Sequence, residues 1–174
     1  PVYTSITPSI CEYTPDYNVT ILSAGLCTIE VSQPGDANYS TATPITSSFT
    51  VTPAAQVITW GAQANQNFGT GGTFAISPLA MGGGSGNAIV YSSITPAVCT
   101  VSGSTVTKVM AGTCTLAANQ AGNANYSAAA QVQRTVTINA SVPSAPSLMS
   151  AVATDSQVVL EFDAPASNGG AAIS

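Results

Sequence analysis

Apolar and polar residues alternate in short runs along this chain. The alternation is plain in Val57-Ile58-Thr59-Trp60, in Thr105-Val106-Thr107-Lys108-Val109, in Thr113-Cys114-Thr115-Leu116 and in Val132–Ile138. A period of two places successive side chains on opposite faces of an extended strand. The runs are rich in Thr, Val and Ile and are bounded by Gly, Pro, Asn and Ser, which is strand chemistry punctuated by turn chemistry. No window carries a 3.6-residue period, and Pro and Gly interrupt every candidate helix. The pattern predicts an all-β chain.

The pattern also repeats. Val2–Cys11 (VYTSITPSIC) matches Val90–Cys99 (VYSSITPAVC) at an offset of 88, and Ala24–Ser40 (AGLCTIEVSQPGDANYS) matches Ala111–Ser127 (AGTCTLAANQAGNANYS) at an offset of 87. A period near 87 is too long for a solenoid unit and suits one small β-sandwich. The second copy has an upstream portion, Ala54 to about Ile89, without a counterpart in the first. The first copy is therefore read as lacking its first two or three strands. A third segment begins near Ser141, with strand-like runs at Ser147–Ala153 and Gln157–Phe162. In the second run Val158, Leu160 and Phe162 point one way, and Glu161 and Asp163 the other. Two strands alone are marginal in water, so that piece needs company.

Composition narrows the chemistry. The 174 residues include 2 basic and 7 acidic side chains and no histidine, and the charged fraction is 5%. The 22 Thr and 21 Ser must supply the polar surface instead. A net charge of −5 with two cations leaves no phosphate-binding footprint, so nucleic acid is not expected as a partner. Without histidine there is no Ser-His-Asp or Cys-His catalysis and no imidazole metal ligand. No apolar run approaches the roughly 20 residues of a membrane-spanning helix, and no basic n-region with an apolar stretch marks a signal peptide. The four cysteines form two pairs, Cys11 with Cys27 and Cys99 with Cys114 being neighbours in sequence at separations of 16 and 15. Two local disulfides explain the even number and spacing more simply than a zinc site converging from distant pairs or four buried thiols. Disulfides persist outside the reducing cytosol, which points to an extracellular or cell-surface setting.

The combination S-x-T-P-x-x-C, A-G-x-C-T and G-[DN]-A-N-Y resembles the bacterial immunoglobulin-like repeats found in tandem in very large surface and secreted proteins, over about residues 1–140. The segment P-S-A-P…Q-V-V-L-E-F-D-A-P-A-S-N-G-G-A-A-I-S resembles the opening of a fibronectin type III domain, without the strand bearing a core aromatic that would continue it. The resemblance implies tandem immunoglobulin-like β-sandwiches with a partial fibronectin type III-like sandwich after them. Its domains are 1–53 (the C-terminal part of one sandwich), 54–140 (a complete one) and 141–174 (the first strands of the last), joined by short polar linkers at Thr52–Gln56 and Ala140–Pro146. It also implies the pairing Cys11–Cys27 and Cys99–Cys114, and a non-enzymatic role as spacer or scaffold, with neither catalytic residue nor cofactor. Partners would be neighbouring domains or further copies of the same protein, packed into a surface fibre or filament. The alternative is an adhesin-type module that grips a glycan or host protein through loops 61–72 and 80–87.

Other candidates have plainer readings. Tyr39 and Tyr126, in GDANYS and GNANYS, read as structural tyrosines at a sandwich end and not as exposed contacts. Asp36 with Asn38 reads as a turn that bonds its own backbone, calcium being disfavoured by the scarcity of carboxylates. Trp60 reads as an anchor against core or neighbour, with a sugar-stacking platform as the alternative. Glu161 and Asp163 read as a solvated strand face. Gly82–Gly86 lacks the Gly-Lys-Ser/Thr ending of a phosphate loop and reads as a flexible connection. Asn18, Asn38, Asn125 and Asn139 stand in N-x-S/T sequons, which matter only where asparagine is glycosylated. Unpaired strand edges at both ends would recruit strands from other chains, with Ser147–Phe162 of one subunit filling the 1–53 half-domain of the next.

Overall fold

The computed structural model describes residues 1–69 and 72–169. Among these residues every regular element is a strand, as the alternating pattern predicts. The chain forms two compact units. Unit 1 holds Pro1–Val57 with the loops Gly82–Asn87 and Ala121–Ala129, and unit 2 holds Ile58–Met81, Ala88–Gln120 and Ala130–Ser174.

Unit 1 contains β1 (Val2–Ser5), β2 (Cys11–Thr14), β3 (Asn18–Ile21), β4 (Gly25–Ser32) and β5 (Ile45–Val51). They form a three-stranded sheet in the order β1-β4-β5 and a separate hairpin β2-β3. Unit 2 contains β6 (Gln66–Asn67), β7 (Thr73–Ala75), β8 (Ile89–Ser93), β9 (Cys99–Ser102), β10 (Thr105–Lys108), β11 (Gly112–Gln120), β12 (Val132–Asn139), β13 (Ser147–Thr154) and β14 (Gln157–Asp163). One sheet runs β6-β12-β11-β8 and the other β7-β10-β9, with β13-β14 as a hairpin. All pairings are antiparallel except β6 on β12.

The two copies share their register strand for strand. Tyr3 faces Val31 as Tyr91 faces Ala118. Cys27 faces Phe49 as Cys114 faces Val136. Tyr13 faces Val19 as Val101 faces Val106. The repeated motifs have a physical cause. In S-x-T-P-x-x-C the serine hydroxyl oxygen accepts the N–H of the threonine two residues on, at 3.2 Å in Ser5–Thr7 and 3.1 Å in Ser93–Thr95. That threonine's Oγ1 accepts an N–H from the strand carrying the second cysteine, Thr28 or Thr115, at 2.9 Å in both copies. Its carbonyl accepts the N–H of Cys11 or Cys99 across the proline turn. In A-G-x-C-T the glycine has φ near +145° in both copies, a conformation that penalises any Cβ. At Gly25 a Cβ would also press on Ile10.

Each disulfide joins a hairpin strand to the centre of the opposing sheet: Cys11–Cys27 links β2 to β4, and Cys99–Cys114 links β9 to β11. All four cysteines are fully buried. In unit 2 they sit among Val106, Leu116, Ala117, Ala118, Val136 and Ile138, none more than 1% exposed.

Three sequence expectations need adjustment. Val57–Trp60 alternates in burial, with Ile58 and Trp60 inside and Val57 outside, yet it is no strand; only Thr59 pairs, in an isolated bridge to Met81. Gly82–Gly86 is packed rather than free, because Gly83 lies against Gln56 and Gly84 against the Tyr126 ring, where a Cβ would collide. Thr52–Gln56, expected as a polar linker, buries Gln56. Residues 170–174, within the fibronectin-like opening, and Thr70 and Gly71 of the 61–72 loop lie outside the described residues.

Closing a loop of this size contributes about 3 kcal/mol in the chain-entropy model. A Cys99→Ala/Cys114→Ala double variant is therefore expected to lose about 3 kcal/mol from unit 2. Trp60, the single tryptophan, lies in that unit, so its fluorescence in a urea titration reads the loss; an unchanged midpoint would rule the staple out as a stability element.

Candidate functional site: the clasped linkers

The turn G-N-A-N-Y-S is built from its own backbone. Asn123 Oδ1 accepts the N–H groups of Asn125 (2.9 Å) and Tyr126 (3.0 Å), and Asn123 N–H donates to the Tyr126 carbonyl. Asp36 repeats the arrangement with Asn38 (2.7 Å) and Tyr39 (2.9 Å), so the acid is used as an acceptor of local N–H bonds. With the turn self-satisfied, its outer groups are free to hold something else. In unit 1 the turn at 122–127 holds the segment around Ala54: Ala54 N–H donates to Asn125 O (2.8 Å), Ser127 N–H donates to Ala54 O (2.9 Å), and Asn125 Oδ1 accepts Ala24 N–H (2.8 Å).

Gln56 completes the clasp. Its Nε2 donates to Ala121 O at 3.1 Å and its Oε1 accepts Ser85 N–H at 3.0 Å, which satisfies a buried amide at both ends. Ser85 Oγ and Asn87 Nδ2 also donate to Ala121 O, and Asn123 Nδ2 donates to Ser85 O. Beside the clasp lies a shallow cleft of about 290 Å³, whose walls include Ile21, Leu22, Ala24, Val51, Asn125 and Tyr126. A second, of about 380 Å³, is bordered by Leu79, Ile89, Val90 and Tyr91 in unit 2. Neither wall carries a charged side chain.

The repeat places Ser141 where Ala54 stands. In unit 2 Ser141 N–H donates to Gly169 O at 2.9 Å, Ser144 N–H donates to Ser167 O at 3.1 Å, and Ser167 Oγ donates to Gly69 O. The segments around Ala54 and around Ser141 are thus each held by backbone bonds from a loop that follows them in sequence.

The structure separates the two tyrosines. Tyr126 is half-buried over Gly84, whereas Tyr39 is 75% exposed. Trp60 is 3% exposed, tilted against Tyr91 at 5.3 Å, with Nε1 donating to Pro78 O; it offers no open face to a sugar ring. The two cations both hold carbonyls of the segment that contains Trp60. Arg134 donates to Trp60 O through Nε and Nη2, and Lys108 Nζ donates to Asn67 O (2.7 Å) and Phe68 O (3.0 Å). Residues of β14 are exposed on both faces, and Glu161 accepts a bond from Ser150. Sequence reading missed Ser5, Thr7, Ser93, Thr95 and Gln56; the first four carried a signal, their repetition in register with the cysteines.

Unit 1 also carries an aromatic cluster that the sequence did not announce. Tyr3 stacks on Tyr13 at 5.0 Å and meets Tyr17 edge-on at 6.2 Å. The Tyr13 phenol is pushed above its ordinary value by desolvation among these rings, then by repulsion from the phenolates of Tyr17 and Tyr3. Among the described residues no three His, Cys, Asp or Glu side chains converge as metal ligands, and no helix is long and apolar enough to cross a membrane.

No family model matches the chain, and no curated protein matches it. Among solved structures it is similar to surface layer protein SbsC, domains 4–9, at 16% identity and a TM-score of 0.36, covering 95% of this chain and 29% of that one. It is similar to domains 1–6 of the same protein at 17% identity and a TM-score of 0.33, covering 93% and 24%. The S-layer protein rSbsC is similar at 15% identity and a TM-score of 0.30, covering 84% and 21%. The chain thus spans under a third of each of these chains.

Removing a partner from a buried polar group costs about 1–3 kcal/mol, and a single ordinary hydrogen bond about 1 kcal/mol. Gln56→Ala is expected to fall in the first range and Asn125→Ala near the second. Amide exchange checks both: Ser85 should exchange faster in Gln56→Ala and Ala24 roughly fivefold faster in Asn125→Ala, whereas unchanged rates would mean that these bonds do not hold the linker.

Proposed function

We propose that the chain is a non-enzymatic structural section of a long extracellular modular protein, a spacer whose modules are immunoglobulin-like sandwiches followed by a fibronectin type III-like one. The observation that carries this reading is the clasping of both linkers, at Ala54 and at Ser141, by backbone bonds from the following loop. A spacer needs junctions that resist bending, and bonds to the main chain give that with any side chain at the surface. The strand order supports the domain type: β7-β10-β9 and β8-β11-β12 reproduce the B-E-D and C-F-G orders of an immunoglobulin domain. The domains are 1–53, 54–140 and 141–174. The buried disulfides favour an oxidising, extracellular setting, and the sparse charge leaves little repulsion against lateral association. The adhesin alternative gains nothing from the 80–87 loop, whose polar groups are engaged with Gln56, Ala121 and Asn123.

Single-molecule pulling tests the mechanical role. Each intact disulfide keeps its loop out of the released length, so reduction should lengthen the unfolding step by about 50 Å per cystine, at roughly 3.4 Å per residue. Extension without discrete steps before reduction, or saturable binding of a glycan by the folded chain, would overturn the spacer reading.

A further inference from the structure

Four asparagines stand in N-x-S/T sequences, and the structure treats them differently. Asn125 spends its Oδ1 on the Ala24 N–H, and Asn139 donates its Nδ2 to Asn67 Oδ1 at 3.2 Å. Asn38 lies in the turn whose counterpart at 122–127 is occupied in packing, and the Asp36 Oδ1 ahead of it already accepts two N–H groups. Asn18 is placed otherwise. It opens β3 directly after the tip of the β2-β3 hairpin. Its carbonyl accepts Thr14 Oγ1 at 3.2 Å, and among the described residues its side-chain amide bonds nothing. Asn18 and Thr20 are both exposed and, two apart on a strand, share a face. Their counterparts in the second copy, Thr105 and Thr107, are exposed even though β10 is paired on both edges. The outward face of β3 is therefore open because of the direction its side chains take, whatever strand lies beside it.

The tip of this hairpin is also where the copies differ in length. Pro15, Asp16 and Tyr17 join Thr14 to Asn18, whereas only Gly103 and Ser104 join Ser102 to Thr105. Tyr17 takes a φ of 60° where Gly103 takes 59°. Glycine adopts that conformation freely and a tyrosine does so at a cost, yet Tyr17 is 80% exposed. The first copy thus holds a protruding, strained turn that sets an acid and an asparagine outward. We propose that Asn18 is an N-glycan attachment site, with Thr20 as the hydroxyl of its sequon. The co-substrate is a saccharide activated as a diphosphate ester. Asn18 Nδ2 attacks the anomeric carbon. The C–N bond forms as the C–O bond to the diphosphate breaks, the electron pair leaves on the phosphate oxygen, and one Nδ2 proton passes to a base of the transferase. Thr20 Oγ1 lies on the acceptor's own face for that enzyme to hold. Asp16, two residues ahead, offers a carboxylate to a cationic side chain, where Asn125 and Asn139 have Asn123 and Thr137. Val19, between the two sequon residues, points to the opposite face of β3, so the saccharide adds to a polar surface and leaves the packed side undisturbed. The transfer takes place in the oxidising compartment that the cystines need, and in that respect the inference rests on the extracellular reading above.

The test is glycopeptide mass spectrometry on the protein purified from its source cells. Cleavage at glutamate after reduction releases residues 13–30, in which Asn18 is the one sequon. The expected result is a saccharide mass localised to Asn18 by electron-transfer fragmentation, with Asn125 and Asn139 bare. The mass is lost in Asn18→Gln and in Thr20→Val and kept in Thr20→Ser. Valine suits an exposed strand position, so its effect reads the sequon and not the fold. An unmodified 13–30 peptide overturns the site, as does a sugar carried on a hydroxyl of that peptide or one that survives Thr20→Val. A non-reducing digest of the same sample reports the Cys11–Cys27 bond. Bare Asn18 beside an intact cystine removes the acceptor alone, whereas bare Asn18 beside free thiols removes the extracellular reading with it.

Discussion

The two sheets of a sandwich share no ladder, so something other than backbone hydrogen bonds must hold them face to face. Here it is the cystine at full burial, set between the first strand of a hairpin pair and an inner strand of the sheet opposite. Every repeated motif serves that bond. The Ser and Thr of S-x-T-P-x-x-C turn the chain into the first cysteine and place hydroxyls within 3.8 Å of its sulfur. A disulfide sulfur has no hydrogen, so the hydroxyls donate. The glycine of A-G-x-C-T supplies the left-handed step that brings the second cysteine into line. In unit 2 packing shares the task. In unit 1 the facing layer is the two-stranded hairpin β2-β3, tied to β4 by the cystine and by the bond from Thr28 N–H to Thr7 Oγ1.

Much of this was legible in the sequence because it is local or repeated. Alternation identified the strands, and the offsets of 88 and 87 foretold two copies with one register. The Asp36 and Asn123 turns follow from a short polar side chain ahead of two N–H groups. What was not legible depends on distance. Val57–Trp60 has the period of a strand, but a ladder needs a neighbour, and only Met81 reaches it. Five glycines and serines in a row signal freedom, but Gly84 is small so that the Tyr126 ring can lie on it, a contact across 42 positions. Gln56 looked like linker polarity; its two partners, Ser85 and Ala121, lie 29 and 65 residues away. Tyr39 and Tyr126 share a motif and differ in burial because packing partners, not motifs, bury a ring.

The scarcity of charge also takes on a structural meaning. A chain with one lysine and one arginine could leave them on the surface as solubilising groups. Instead both ammonium and guanidinium groups bind main-chain carbonyls between Trp60 and Phe68, a stretch with almost no ladder of its own. Charge-assisted bonds to carbonyls are stronger than neutral ones, so the two cations substitute for missing strand pairing in the segment that needs it. The polar surface is left to hydroxyls, amides and a few exposed carboxylates.

The two copies then differ in one respect that matters. Natural sheets blunt their edges with lysine, proline, bulges or a covering segment. In the second copy the edge of β10 is covered by β7 and bears Lys108. In the first, β3 reads Asn-Val-Thr-Ile, with neither proline nor charge, and Tyr13 and Tyr17 add apolar surface beside it. Tyr3 stacks on Tyr13 and meets Tyr17 edge-on, so these rings cover part of one another in unit 1. The two copies thus keep one register while their residues along this strand diverge, Ile21 standing where Lys108 stands.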